Sequence, residues 1–143
     1  MYRKTTLANG LRIVSESIPY MSSVSLGIFV GTGSRSELPP EQGVSHFIEH
    51  LMFKGTQKRS ARDIAEMVDD VGGQLNAATD RENTCYYIKV LPEHLGLGMD
   101  ILSDMLLHSK FAESDVEKER QVVLEEISLY EDSPDELIHD LHM

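Results

Sequence analysis

The stretch SHFIEHLMFKGT, residues 45–56, sets His46 and His50 four positions apart, with Glu49 immediately before the second histidine. On a helix of about 3.6 residues per turn the two imidazoles fall about 40° apart and one turn along, so both can reach one ion. Glu49 lies about 60° to the other side of His46, beside such an ion rather than on it. Imidazole nitrogens suit zinc, and a carboxylate next to a metal-activated water can take its proton and pass it to a leaving amine. Spacing alone raises a metal site without separating it from three polar residues on an ordinary solvated helix.

The order is that of the zinc-binding His-Glu-x-x-His helix read backwards. Two histidines are too few for zinc, which takes three protein ligands and keeps one position for water. The helix-like segment SDVEKERQVVLEEISLYE, from Ser114 to Glu131, supplies candidates for the third. With Glu119 at 0° on a helical wheel, Val116, Val123, Ile127 and Tyr130 fall between about 20° and 80°, and Val122 and Leu129 between about −60° and −80°. Glu126 falls at about −20°, so Glu119 and Glu126 both occupy the middle of the expected buried stripe. Buried carboxylates are costly unless a cation or metal faces them, so something positive should face these two. Glu125, at about −120°, points toward solvent. Glu113, Glu117 and Glu131 also lie off the stripe.

The elements around these residues can be read from pattern. Asn9-Gly10 between two strand-like stretches is a tight-hairpin signal, and SSVSLGIFV, residues 22–30, is a strand running into the loop GTGSRSELPPEQG. Val44 to about Lys54 turns helical, with Gly55 as its stop, and a second helix follows Ser60 as cap, broken by Gly72-Gly73. QLNAATD and ENTCYYIKVL read as strands joined by a polar turn at Asp80-Arg81. Pro92 opens another helix, in which Gly96 and Gly98 weaken the first turns. Ser114 is the expected cap of the acidic helix, and DELIHDLHM reads as the start of a further one. Strands and helices alternate irregularly and the hairpins favour antiparallel pairing, so the class is α+β: a largely antiparallel sheet packed with helices.

With 143 residues, residues 1–143 suit one domain, and 41% hydrophobic against 26% charged residues is ordinary for a soluble globular protein. A net charge of −11 argues against nucleic acid or an anionic membrane surface as partner. Cys85 is the one cysteine, so neither an intramolecular disulfide nor a cysteine-rich zinc site can form. No apolar run reaches the length of a membrane span and no signal peptide is visible, which leads to the expectation of a cytoplasmic chain.

Other candidates have plainer readings. VGTGSRSE lacks the spacing of a phosphate-binding loop and reads as a strand-to-helix connection. His94, His108, His139 and His142 read as surface histidines, with His139 and His142 able to catch a stray ion. Cys85, in mid-strand, reads as a small buried side chain. Tyr86 and Tyr87 face opposite ways, one toward the core and the other nearer the site.

HFIEH, the following MFKGT, the strand pair LNAATDRENTCYY and the helix ERQVVLEEI, in that order, resemble the inverted-motif zinc peptidases of the pitrilysin, insulin-degrading enzyme and mitochondrial processing peptidase type. The resemblance runs over nearly the whole chain. It implies a zinc endopeptidase binding one Zn2+ per chain, with His46, His50 and Glu126 as ligands, Glu49 as the catalytic base and Glu119 supporting the site. It further implies an edge strand, Asn76, Ala77, Ala78 and Thr79, that pairs with an extended peptide substrate. Relatives often carry an aromatic residue at the position of Ala78. They are also several times longer and fold as paired halves, so the expectation is a partial, N-terminal catalytic domain. Its partners would be the rest of the same polypeptide or a paired subunit, and exposed apolar surface could drive self-association. The rival reading is a non-catalytic relative that serves as a peptide-binding or scaffold module.

Overall fold

A computed structural model of the chain describes residues 2–134 and residue 138. The expected closing helix falls outside them apart from residue 138, and His139 and His142 fall outside them altogether.

Strands β1 (Tyr2–Thr6) and β2 (Arg12–Glu16) pair antiparallel around the predicted Asn9-Gly10 turn. The turn is not a two-residue one. Leu7 N–H bonds the Leu11 carbonyl at 2.8 Å, and Gly10, at φ 88°, donates back to Leu7 at 2.9 Å. Ala8, Asn9 and Gly10 therefore form the loop, with glycine supplying the left-handed residue that such three-residue connections require. Asn9 steadies it by accepting from Leu11 N–H at 3.1 Å.

The second sheet has the order β3 (Val24–Val30), β5 (Thr84–Val90), β4 (Gln74–Thr79), antiparallel throughout. Thr84, Tyr86, Ile88 and Val90 alternate along central β5 and all point to the buried face. In register beside them lie Leu26 and Leu75 at Ile88, and Ile28 and Ala77 at Tyr86. Three helices cover this face: α1 (Val44–Met52), α2 (Ala61–Asp69) and α3 (Leu95–His108). Met52, Ile64, Val68, Ile101, Leu102 and Met105 close the core from the helical side. The glycine that weakens α3 in isolation has a packing role, because a Cβ on Gly98 would lie 3.0 Å from Ile88 Cγ2. The antiparallel sheet with helices on one face is the expected α+β arrangement.

Ser60 caps α2 as expected, and Asp63 completes a reciprocal capping box. Helix α4 (Glu113–Glu131) departs from expectation, since its N-cap is Ala112 and Ser114 lies inside the first turn. Phe111 at φ 46° turns the chain into the helix, and the Ala112 carbonyl takes the Asp115 and Val116 N–H groups, each at 2.9 Å. No side-chain cap is used there.

The expected stripe on α4 is only half buried. Glu119 and Val123 are buried against α1, whereas Leu129 is 72% exposed and Ile127 43%. The helix leans on α1 around its middle and continues past it.

Candidate metal centre

Gly43, the N-cap of helix α1, offers no capping side chain. The carboxylate of Glu37 reaches back instead, accepting from Gly43 N–H at 2.7 Å and Ser45 N–H at 2.8 Å. It thereby satisfies two of the orphan donors of the first turn. Burial pushes the Glu37 carboxyl up, but the Ser45 and Gly43 groups outweigh it and hold it below the ordinary carboxylate range. A depressed carboxylate stabilises the fold above its unfolded pKa, and that stabilisation is lost as pH falls through the folded value. Glu37→Ala should therefore cost about 1 kcal/mol near neutrality. Thermal midpoints measured against pH should show the gap from wild type closing below about pH 4.

His46, Glu49 and His50 follow on this anchored helix. His46 Nε2 and His50 Nε2 lie 3.2 Å apart, and Glu126 Oε2, arriving from α4, lies 3.8 Å and 3.4 Å from them. A tetrahedral zinc ion with bonds of about 2.0–2.1 Å holds its ligand atoms about 3.3–3.4 Å apart, so this triangle fits one ion with little movement. Two imidazole nitrogens and a carboxylate oxygen also form a donor set suited to zinc.

The other nitrogen of His50, Nδ1, sits 3.3 Å from Glu119 Oε2. With its proton on Nδ1, His50 donates to Glu119 and presents a bare Nε2 toward Glu126 and His46. Glu119 is 6% exposed, and Lys54 Nζ meets its other oxygen at 2.6 Å. The positive charge that the wheel called for opposite Glu119 is thus Lys54, while His50 donates a hydrogen bond to the same carboxylate. Glu126 differs: its side chain is 45% exposed, so it faces the histidines at the rim rather than within a buried stripe.

Glu49 precedes His50 directly on α1, and its carboxylate accepts from the Thr79 hydroxyl at the end of β4. Tyr86 packs beneath, its phenol pushed up to about 12, first by burial and then by the charge of Glu49. Tyr86 is therefore both the core tyrosine and the one near the site, while Tyr87 is 39% exposed on the opposite face.

Strand β4 is a sheet edge. Asp80 N–H bonds the Asn83 carbonyl at 2.8 Å, which extends the turn to Asn83 and fixes the alternation. Asn76 and Ala78 turn their backbone groups to β5, and Ala77 and Thr79 turn theirs outward. Ala77 N–H is held by the Asn76 side chain at 2.9 Å.

A family model described as insulinase, peptidase family M16, matches residues 12–143. The chain belongs to the M16 peptidase family. An uncharacterized zinc protease of Bacillus subtilis, YmxG, is 53% identical over 99% of this chain and 34% of its own length. One from Streptomyces coelicolor is 50% identical over 97% of the chain and 30% of its own. Among solved structures, a protease from Helicobacter pylori superposes with a TM-score of 0.90 at 29% identity, covering 96% of this chain and 33% of that one. The chain thus spans about a third of the length of these proteins.

Several residues around this candidate site escaped the sequence reading. Lys54, one turn past His50, had a legible signal, since a basic residue at that spacing extends the same helix face. Glu37 had a weaker one in a helix start without a capping side chain. The buried anchor of the loop after α1 had none. Asp104 on α3 takes the Thr56 hydroxyl at 2.7 Å, Arg59 at 2.6 Å and His108 Nδ1 at 3.2 Å. His108 therefore has a partner. The VGTGSRSE loop holds no phosphate cradle, because Ser34 and Arg35 N–H groups bond Asp80 and Arg81 carbonyls at 3.2 Å and 2.9 Å. Cys85 is only half-buried, on the face of β5 opposite Thr84 and Tyr86, and not the buried side chain expected; partial burial pushes its thiol up. No helix among the described residues is long and apolar enough to cross a membrane.

Proposed function

We propose that this chain is the N-terminal catalytic part of a zinc-dependent endopeptidase that hydrolyses extended peptides. The observation that carries the reading is the His46, His50 and Glu126 donor triangle with Glu49 directly before His50 on α1. In this reading the three residues hold one zinc ion, and Glu119 orients His50 through Nδ1. Zinc, when bound, supplies the Lewis acidity that brings a water's pKa toward 7 and polarises the scissile carbonyl. Glu49 takes the proton of the attacking water on its carboxylate and returns it to the departing amine nitrogen. An extended peptide lies along the outer edge of β4 and pairs with the outward backbone groups of Ala77 and Thr79, with Asn76 and Ala78 beside them. Backbone pairing gives affinity with little dependence on sequence, but the Asn76 side chain must first release Ala77 N–H. The remaining substrate contacts come from the rest of the polypeptide or a paired subunit.

Zinc content of the purified chain tests the metal assignment: about one ion per chain is expected, falling to none in His50→Ala, and an unchanged content in that variant overturns it. Peptide hydrolysis by this chain beside the full-length protein tests the rest. Activity in the full-length protein alone assigns the shortfall to missing substrate contacts, and inactivity in both favours the scaffold reading.

A further inference from the structure

We infer that Thr79 is a positioning residue for Glu49 rather than a side chain that reads the substrate; this rests on the peptidase reading above. Thr79 Oγ1 donates to Glu49 Oε2, and among the described residues it is the carboxylate's one hydrogen-bond donor. The residue that carries this hydroxyl is fixed by the sheet. Thr79 pairs across the sheet with Thr84, whose Oγ1 lies 3.4 Å away and donates to the Thr32 carbonyl at 3.0 Å. Thr84 is 4% exposed, so this end of the ladder is locked into the sheet.

The chemical need is clear. A glutamate on one helical turn has three rotatable bonds, and a base must stay within hydrogen-bond reach of the proton it abstracts. One oxygen fixed to a strand end leaves Oε1 as the oxygen able to take a proton, at a position set by the β4–β5 register. A misplacement of about 1 Å can cost about 10²-fold in rate, so loss of this bond should be read in turnover. A substrate-reading hydroxyl would instead be read in KM.

The test is Thr79→Val, an isostere without the hydroxyl, with Thr79→Ala as the second variant should valine fail to fold. Zinc-loaded full-length protein should show kcat lowered about 10–100-fold, KM within about twofold and zinc content unchanged, with Thr79→Ser restoring turnover. Carboxylate 13C NMR of Glu-labelled, zinc-loaded protein gives a readout independent of turnover. The Glu49 resonance, assigned by its loss in Glu49→Gln, should move in Thr79→Val and return in Thr79→Ser. Unchanged kcat, or a raised KM at constant kcat, overturns the inference, as does an unmoved resonance. Glu49→Gln assayed alongside separates the two failures. If it is inactive while Thr79→Val behaves as wild type, only the positioning role fails; if it retains activity, the peptidase assignment of Glu49 fails.

Discussion

Replacing Glu49 by Gln is expected to lower kcat of the zinc-loaded full-length protein by about 10²–10⁴-fold, the range that a positioned general acid-base group supplies. The amide keeps the size and the Thr79 contact of the carboxylate but cannot accept a proton at neutral pH. Zinc content should not change, because Glu49 is outside the His46, His50 and Glu126 triangle. Metal analysis and steady-state kinetics on the same preparation check both halves. Unchanged turnover would falsify the base assignment, and lost zinc would move Glu49 into the ligand set.

The largest loss of stability is expected from Asp104→Ala. Asp104 is 3% exposed and ties the loop between α1 and α2 to α3 through Thr56 and Arg59. Thr56, wholly buried, also takes the Lys58 and Arg59 N–H groups on its hydroxyl oxygen at 3.1 Å and 3.0 Å. Removing one partner of a buried ion pair costs about 3–5 kcal/mol, because the other charge is left without compensation. Arg59 keeps Asp100, so about 3 kcal/mol is expected, read by urea unfolding as a lower midpoint at unchanged slope. Burial pushes the Asp104 carboxyl up, but Thr56 and Arg59 outweigh it and hold it below the usual range. Its contribution is therefore complete above the unfolded pKa of about 3.9 and fades as pH falls through the lower folded value.

Local signals carried most of what the sequence disclosed. The Ser60 cap, the alternating β5 and the helical placement of His46 and His50 each follow from neighbours within a few residues. Glu119 was legible for another reason: a carboxylate on an apolar stripe demands a cation, and Lys54 answers it while His50 adds a hydrogen bond. Contacts across long stretches of chain were hidden. Glu49 meeting Thr79 and Thr56 meeting Asp104 depend on how the α1 axis lies across the sheet, which no periodicity encodes. The wheel also overstated burial beyond Val123, because it gives the direction of a side chain and not whether anything packs there.

The exposed far half of α4 would link metal binding to the packing of a further segment or subunit. Glu126 belongs to the turns that carry Leu129, and an ion that holds Glu126 to the histidines must also hold those turns in place. Any segment or subunit that packs on Leu129 and Ile127 stabilises the same turns from the other side. Were the chain to bind both, the two events would share one coupling free energy, and metal would tighten packing by the same factor by which packing tightens metal.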